Sequence, residues 1–349
     1  MTCTMFPRNR VQAAGVREND PKTGRKRIKI MTRSFVLRAI ALISAVTALS
    51  GCSPLVLLDR VVPHSGYEVV ADIPYGPDPR HRLDVYVPLR TDPDAPVIVF
   101  FYGGSWKSGD RAQYRFVGQT FASRGYITVV ADYRLFPQVR FPDFVSDGAS
   151  AVRWVHRSIA RFGGNGSSMV LMGHSAGAHI AALLALDRVY LETADVPPKA
   201  VSGLIGLAGP YSFDPLRYSS ISPVFKHAKH VDDARPVTFA DRNAPRSLLL
   251  HGLDDWTVNP RNSESLTAAL IEANAPAQYV PLEDVGHAGI LIALSLPFRR
   301  SAPVLDNVFA FLMSVKARMP ASKAHSSRRG AVRRNRLEPV SGRHENPRQ

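Results

Sequence analysis

Cysteine is nearly absent from this 349-residue chain: only Cys3 and Cys52 occur, both close to the N-terminus. Two thiols placed there build no disulfide framework and no cysteine-based metal site. Long apolar runs are missing as well. The segment Ala39–Leu49 is too short to span a bilayer with ease as a helix. A body of one charge sign is the third absence. The formal net charge is +15, but residues 1–38 and 316–349 each hold ten Lys or Arg against two acids, so each end carries +8 and the middle −1. A near-neutral body has no basic groove, which argues against nucleic-acid binding by the core.

The ends have a logic of their own. Residues 1–30 are polar, basic and without periodicity. From Met31 the chain reads as an export signal: MTRSFVLR is positively charged, the run to Leu49 is apolar, and Leu49-Ser50-Gly51-Cys52 closes it with the small residues a signal peptidase needs. That closing tetrapeptide resembles the lipobox of bacterial lipoproteins. The resemblance implies a lipid on Cys52, a mature N-terminus there, translation from Met31 and an exported, lipid-anchored location at the bacterial cell envelope. Ser53 in place of Asp implies the outer membrane. The expected organisation is a leader and signal peptide over 1–51, a tether over 52–66, a catalytic domain over 67–316 and a basic disordered tail over 317–349.

Within 67–316, strand and helix patterns alternate. Tyr67–Ile73 and Arg82–Val87 alternate as antiparallel edge strands. Pro96–Tyr102 is a continuous apolar run, as a strand buried on both faces is, and Tyr126–Ala131, Met169–Met172, Ala200–Leu207 and Arg246–His251 are expected as further, mainly apolar strands. A short strand is expected at Gln278–Pro281. Helices are expected over Arg111–Arg124, Asp143–Arg161, Ala176–Leu186, Asn262–Ala273 and Ala302–Lys316. This order predicts an α/β fold with a doubly wound, mostly parallel sheet and helices on both faces. Residues Pro210–Ala244 fit the alternation poorly and are expected to form a small cap.

The pentapeptide Gly173-His174-Ser175-Ala176-Gly177 fits G-x-S-x-G between a strand and a helix, the context of a nucleophile elbow. Such a turn lifts a serine hydroxyl clear of the sheet and aims the next N–H at a developing oxyanion. A serine nucleophile needs a base, and the base needs an orienting acid, arranged on this kind of sheet in the order serine, acid, histidine. Asp254 and Asp255 lie just past a strand end, and only one of them can face a histidine. Val285-Gly286-His287-Ala288-Gly289 follows the next strand, so His287 is the expected base. The loop Tyr102-Gly103-Gly104-Ser105-Trp106 offers oxyanion donors from the backbones of Gly104 and Ser105, joined by Ala176. Other histidines have duller expectations: His174 packs or lines the pocket, His179 is buried against the sheet, and His251 shapes the acid loop. His227 and His230 lack a third ligand, so no metal is expected.

Taken together, Gly103-Gly104-Ser105-Trp106, Asp132-Tyr133-Arg134-Leu135 with Pro137, the elbow through His179, and the two later loops resemble the α/β-hydrolase fold. The resemblance is to its esterase and lipase branch related to hormone-sensitive lipase, near the prenylcysteine methylesterases and kynurenine formamidases. The segment matching H-G-x-x-D-x-x-V selects Asp255 over Asp254. Tyr102 is a departure, since the family usually has a histidine there supporting the oxyanion loop. Asp132–Leu135 is read as structural support below the site. The implied activity is cofactor-free, metal-independent cleavage of a small-molecule carboxylic ester through an acyl-enzyme, with Ser175, Asp255 and His287 as the triad. The competing readings are an arylformamidase and a catalytically silent binding protein. Nothing in the residues addresses the oligomeric state.

Overall fold

The eight expected strands pair into one sheet. The computed structural model describes residues 62–318 except 64 and 93, so Met31, Cys52, the signal peptide and the basic tail lie outside the described residues. The strands are β1 (Tyr67–Pro74), β2 (Arg82–Pro88), β3 (Val97–Phe101), β4 (Thr128–Ala131), β5 (Met169–His174), β6 (Val201–Leu207), β7 (Arg246–Gly252) and β8 (Ala277–Leu282). Their order across the sheet is β1-β2-β4-β3-β5-β6-β7-β8. The β1–β2 and β2–β4 pairs are antiparallel, and all pairs from β4 to β8 are parallel. The fold is therefore the expected mostly parallel α/β-hydrolase sheet. Strands β3, β4 and β5 are buried at every residue, because helices cover both faces and leave no solvated side for polar residues.

The helices are α1 (Arg115–Ala122), α2 (Asp143–Ser158), α3 (Ala176–Leu186), α4 (Arg188–Thr193), α5 (Arg261–Glu272), α6 (His287–Ile292) and α7 (Val304–Lys316). Helix α3 is apolar on every side and almost wholly buried, the pattern of a core helix rather than a surface one. It lies against β5, β6 and α2.

Several expected boundaries shift for local reasons. The helix expected over Arg111–Arg124 splits at Tyr114: Arg111–Tyr114 is a 3-10 turn, and only then does α1 begin. The guanidinium of Arg111 is held by Asp72, Asp84 and Asp132, and the Tyr114 ring stacks on Tyr102 at 5.1 Å. These anchors fix the turn away from the helix axis. Helix α2 likewise tightens into a 3-10 turn, Ile159–Phe162, closed by Gly163 at φ 83°, a left-handed stop that favours glycine. Helices α4 and α6 have no counterpart among the expected elements. Each is six residues long, too short to show a helical period in sequence. The poorly patterned 210–244 stretch folds as a succession of one-turn helices: Pro215–Arg217, Ser222–Phe225, Val231–Ala234 and Pro236–Phe239.

Candidate catalytic site

The site assembles where parallel strands end. Strand β5 delivers Ser175, which sits at φ 54° and ψ −122° between the strand and α3. That conformation is strained for a residue with a Cβ. It is held in place by the Ser175 N–H donating to the Leu207 carbonyl at 2.9 Å, and by neighbours that permit close approach. A Cβ on Gly173 would stand 2.3 Å from the Gly177 backbone, and one on Gly177 would stand 2.1 Å from the Phe101 carbonyl oxygen. Only glycine lets strand, turn and helix close this tightly.

Strand β7 delivers the acid. Asp255 lies in the loop after β7 and is buried, whereas Asp254 is exposed. The loop after β8 delivers His287, the first residue of α6. The imidazole donates from Nδ1 to Asp255 Oδ2 at 2.7 Å and accepts at Nε2 from the Ser175 hydroxyl at 2.8 Å. Residues 175, 255 and 287 are thus joined in one hydrogen-bonded chain. Burial by itself would raise the Asp255 carboxyl. Hydrogen bonds from His251, His287 and the Val258 amide outweigh it and hold the group well below the usual carboxylate range. Asp255 stays ionised beside the imidazole.

The loop after β3 wraps over the serine. Gly104, Ser105 and Trp106 have φ of 130°, 53° and 59°, three successive residues in the left-handed region. A Cβ on Gly103 would lie 3.0 Å from the Ser175 Cβ, so the loop touches the elbow. Ser105 and Ala176 line one cleft with Ser175. The N–H groups of Gly104, Ser105 and Ala176 make no hydrogen bond among the described residues. The loop is braced from below. Tyr102 donates to Asp132 Oδ1 at 2.6 Å and accepts from Arg80 at 2.7 Å, while Tyr133 donates to the Tyr102 carbonyl at 2.8 Å. Arg134 clamps Asp147 through two nitrogens. The Asp132–Leu135 segment therefore supports the loop from beneath, as read from the sequence.

The 210–244 stretch closes the cleft on one side through Pro210, Phe213, Tyr218 and Ile221, and Thr257, Val258 and Asn259 face it from the acid loop. His179 departs from its expected place against the sheet. It is fully buried, but toward this stretch: Nε2–H donates to the Ala234 carbonyl at 2.8 Å, and Trp106, Phe213 and Phe225 pack around the ring. At this position on α3 the side chain faces these aromatics rather than the sheet. Burial lowers its pKa to about 4. His174 donates from Nε2 to the His287 carbonyl at 2.9 Å and packs ring to ring with it. Burial, and then the neighbouring His287, lower His174 to about 3. Both are neutral at physiological pH.

Two contributors carry little signal in sequence. Asn262, on the first turn of α5, accepts from the N–H groups of Tyr211 and Ser212 at 3.0 and 2.9 Å and so ties the cleft's two walls together. Ser263 donates to His251 at 2.8 Å. The signal that could have drawn His251 closer to the chemistry is its position four residues before Asp255, within the motif that selects the acid. Among the described residues no three His, Cys, Asp or Glu side chains are grouped to hold a metal ion. No described helix is long and apolar enough to cross a membrane.

Comparison with known proteins agrees with this architecture. A family model described as BD-FAE matches residues 83–270. A probable isoprenylcysteine alpha-carbonyl methylesterase of Oryza sativa subsp. japonica is 29% identical over 79% of this chain and 68% of its own length. The esterase LipQ of Mycobacterium tuberculosis is 30% identical over 76% of this chain and 67% of its own. A kynurenine formamidase of Danio rerio is 29% identical over 52% and 57%. Several further plant methylesterases are spanned by this chain over less than two thirds of their length. Among solved structures, a truncated carbohydrate esterase from gut microbiota superposes with a TM-score of 0.62 at 18% identity, covering 73% of this chain and 99% of that one. At that identity the likeness is one of fold.

Proposed function

The chain belongs to the BD-FAE family of α/β-hydrolase esterases, and from that footing we propose that it is a serine carboxylesterase working through an acyl-enzyme. The observation that carries the proposal is the unbroken chain from Ser175 Oγ through His287 to Asp255, at 2.8 and 2.7 Å. In the first half-reaction His287 Nε2 takes the Ser175 proton as the hydroxyl oxygen attacks the ester carbonyl. The N–H groups of Gly104, Ser105 and Ala176 hold the resulting oxyanion, each donor contributing on the order of 3 kcal/mol. Collapse breaks the ester C–O bond, and the departing alkoxide takes the proton from His287. In the second half-reaction water loses a proton to His287, attacks the acyl carbon and releases the carboxylic acid and the serine hydroxyl. Asp255 keeps the imidazole in the Nδ1–H tautomer and balances its transient positive charge throughout.

The test uses a fluorophosphonate probe and a short p-nitrophenyl ester on wild type and Ser175→Ala. Wild type should be labelled and turn over the ester, and the variant should do neither. A wild-type protein that resists the probe would return the reading to a silent binding protein. The formamidase relative supports a second reading, cleavage of a formamide by the same groups. Comparing kcat/KM on the p-nitrophenyl ester with that on N-formylkynurenine separates the two.

From the sequence alone we also propose that the chain is exported and held at the cell envelope by a lipid on Cys52, with translation starting at Met31. Mass spectrometry of the mature N-terminus tests both points.

A further inference from the structure

The acid of this site is held from two sides. Asp255 Oδ2 accepts from His287 Nδ1 at 2.7 Å and from His251 Nε2 at 3.1 Å. Its Oδ1 accepts from the N–H groups of Thr257 and Val258, both at 2.8 Å. One buried carboxylate thus satisfies four donors. His251 is completely buried at the end of β7, and its two ring nitrogens have different partners. Nε2 faces only acceptors, Asp255 Oδ2 and the Val258 carbonyl at 2.9 Å, so Nε2 carries the proton. Nδ1 faces the Ser263 hydroxyl at 2.8 Å, which donates to it. Behind the outward pair Ser175–His287 stands an inward pair, Ser263–His251, meeting it at the same carboxylate oxygen.

We infer that His251 is a positioning residue for catalysis, and that the Ser263 hydroxyl fixes its tautomer so that its Nε2–H aims Asp255 Oδ2 at His287. The inference rests on the esterase function proposed for Ser175. A hydrophobic residue at 251 would leave Oδ2 with one donor fewer in a buried place, where an unmet acceptor is costly. The carboxylate would then rotate toward its remaining donors and orient His287 less well. The ionisable groups facing Asp255 are His251 from β7 and His287 from α6, with His174 from β5 behind the latter.

The experiment measures kcat and KM for a short p-nitrophenyl ester with wild type, His251→Leu, His251→Gln and Ser263→Ala. His251→Leu should lose about 30-fold or more in kcat with KM changed less than about threefold. His251→Gln, which keeps an N–H donor at similar reach, should recover to within about fivefold of wild type. Ser263→Ala should fall between them. If His251→Leu does not fold, the other two variants decide: His251→Gln equal to wild type with Ser263→Ala severalfold slower supports the inference. Ester turnover by wild type together with variants that keep its kcat overturns the inference while leaving the esterase function intact. Likewise, a His251→Gln variant as slow as His251→Leu overturns it. A wild type without esterase activity overturns the esterase function, and the inference with it.

Discussion

The Tyr102 hydroxyl donates to the Asp132 carboxylate at 2.6 Å, at the foot of the loop that carries Gly103 and Gly104. Arg80 completes the bracket by donating to the same phenol oxygen, and to the Gly109 carbonyl at 2.9 Å. The ring is wedged between Tyr114 and Tyr133 and abuts Gly109, where a Cβ would lie 2.5 Å from it. Tyr102 is thus fully integrated through both its ring and its hydroxyl. Tyr102→Phe keeps the ring and removes the hydroxyl, leaving Asp132 and Arg80 each short of a partner. The expected cost is roughly 2 kcal/mol for a bond to a charged group, a fall in Tm of about 4–8 °C. Because the loop loosens, kcat should drop about tenfold. Calorimetry and steady-state kinetics on one preparation check both numbers.

Gly104 has no room for a side chain. A Cβ there would stand 2.0 Å from the Ser108 carbonyl oxygen, and its φ is 130°. Gly104→Ala must move the loop and with it the N–H groups of residues 104 and 105. Loss of one oxyanion donor costs about 10²–10³ in kcat, so a fall of at least 100-fold is expected. Gly163→Ala is the control: its φ is also positive, at 83°, but the nearest atom to its Cβ would be 3.9 Å away. It should lose about 1 kcal/mol of stability and no activity. If the two variants lose activity alike, the loop assignment is wrong.

The two adjacent aspartates make a clean pair. Asp255 is buried on His287, whereas Asp254 is exposed and its N–H donates to the Val285 carbonyl. Asp255→Asn puts an amide where a charge is needed and favours the wrong imidazole tautomer, which in a well-studied serine protease triad costs about 10⁴ in kcat. Asp254→Asn should stay within about twofold of wild type. Parallel kinetics on the two variants decide it, and a larger loss at 254 would reassign the acid.

The strands and the elbow are legible in the sequence because their signals are local. Val97–Phe101 is buried at every position and is apolar at every position, and Gly173 is required by its backbone contact with Gly177 within the turn itself. The 210–244 wall is not legible. Its Phe213 and Phe225 gain their meaning only against Trp106 and His179, which arrive from distant parts of the chain. His179 departs from its expected place for the same reason, since helical spacing tells which residues share a face but not what covers that face. Ser263 shows the limit most sharply: a serine on the first turn of a helix has many uses, and only the 2.8 Å approach to His251 picks one.

Two buried histidines make the fold acid-sensitive in a defined window. In the unfolded chain each imidazole takes up a proton near its ordinary value of about 6.5. In the folded chain burial holds His174 at about 3 and His179 at about 4. Between about pH 4 and 6.5 the unfolded state therefore binds more protons than the folded one, so stability falls as pH drops through that range. The slope approaches 1.4 kcal/mol per pH unit for each group, or on the order of 2 kcal/mol per histidine between pH 7.5 and 5. Asp255 adds nothing in this window. Its depressed carboxyl contributes stability that is lost only as pH falls below about 4. His179→Gln keeps a side chain able to donate to the Ala234 carbonyl and removes one titration. Its Tm should be lower than wild type at pH 7.5 because the ring packing is reduced, yet decline about half as steeply toward pH 5. Differential scanning calorimetry across pH 5–7.5 measures both slopes, and an unchanged slope in the variant would mean that His179 is not the buried neutral group its surroundings imply.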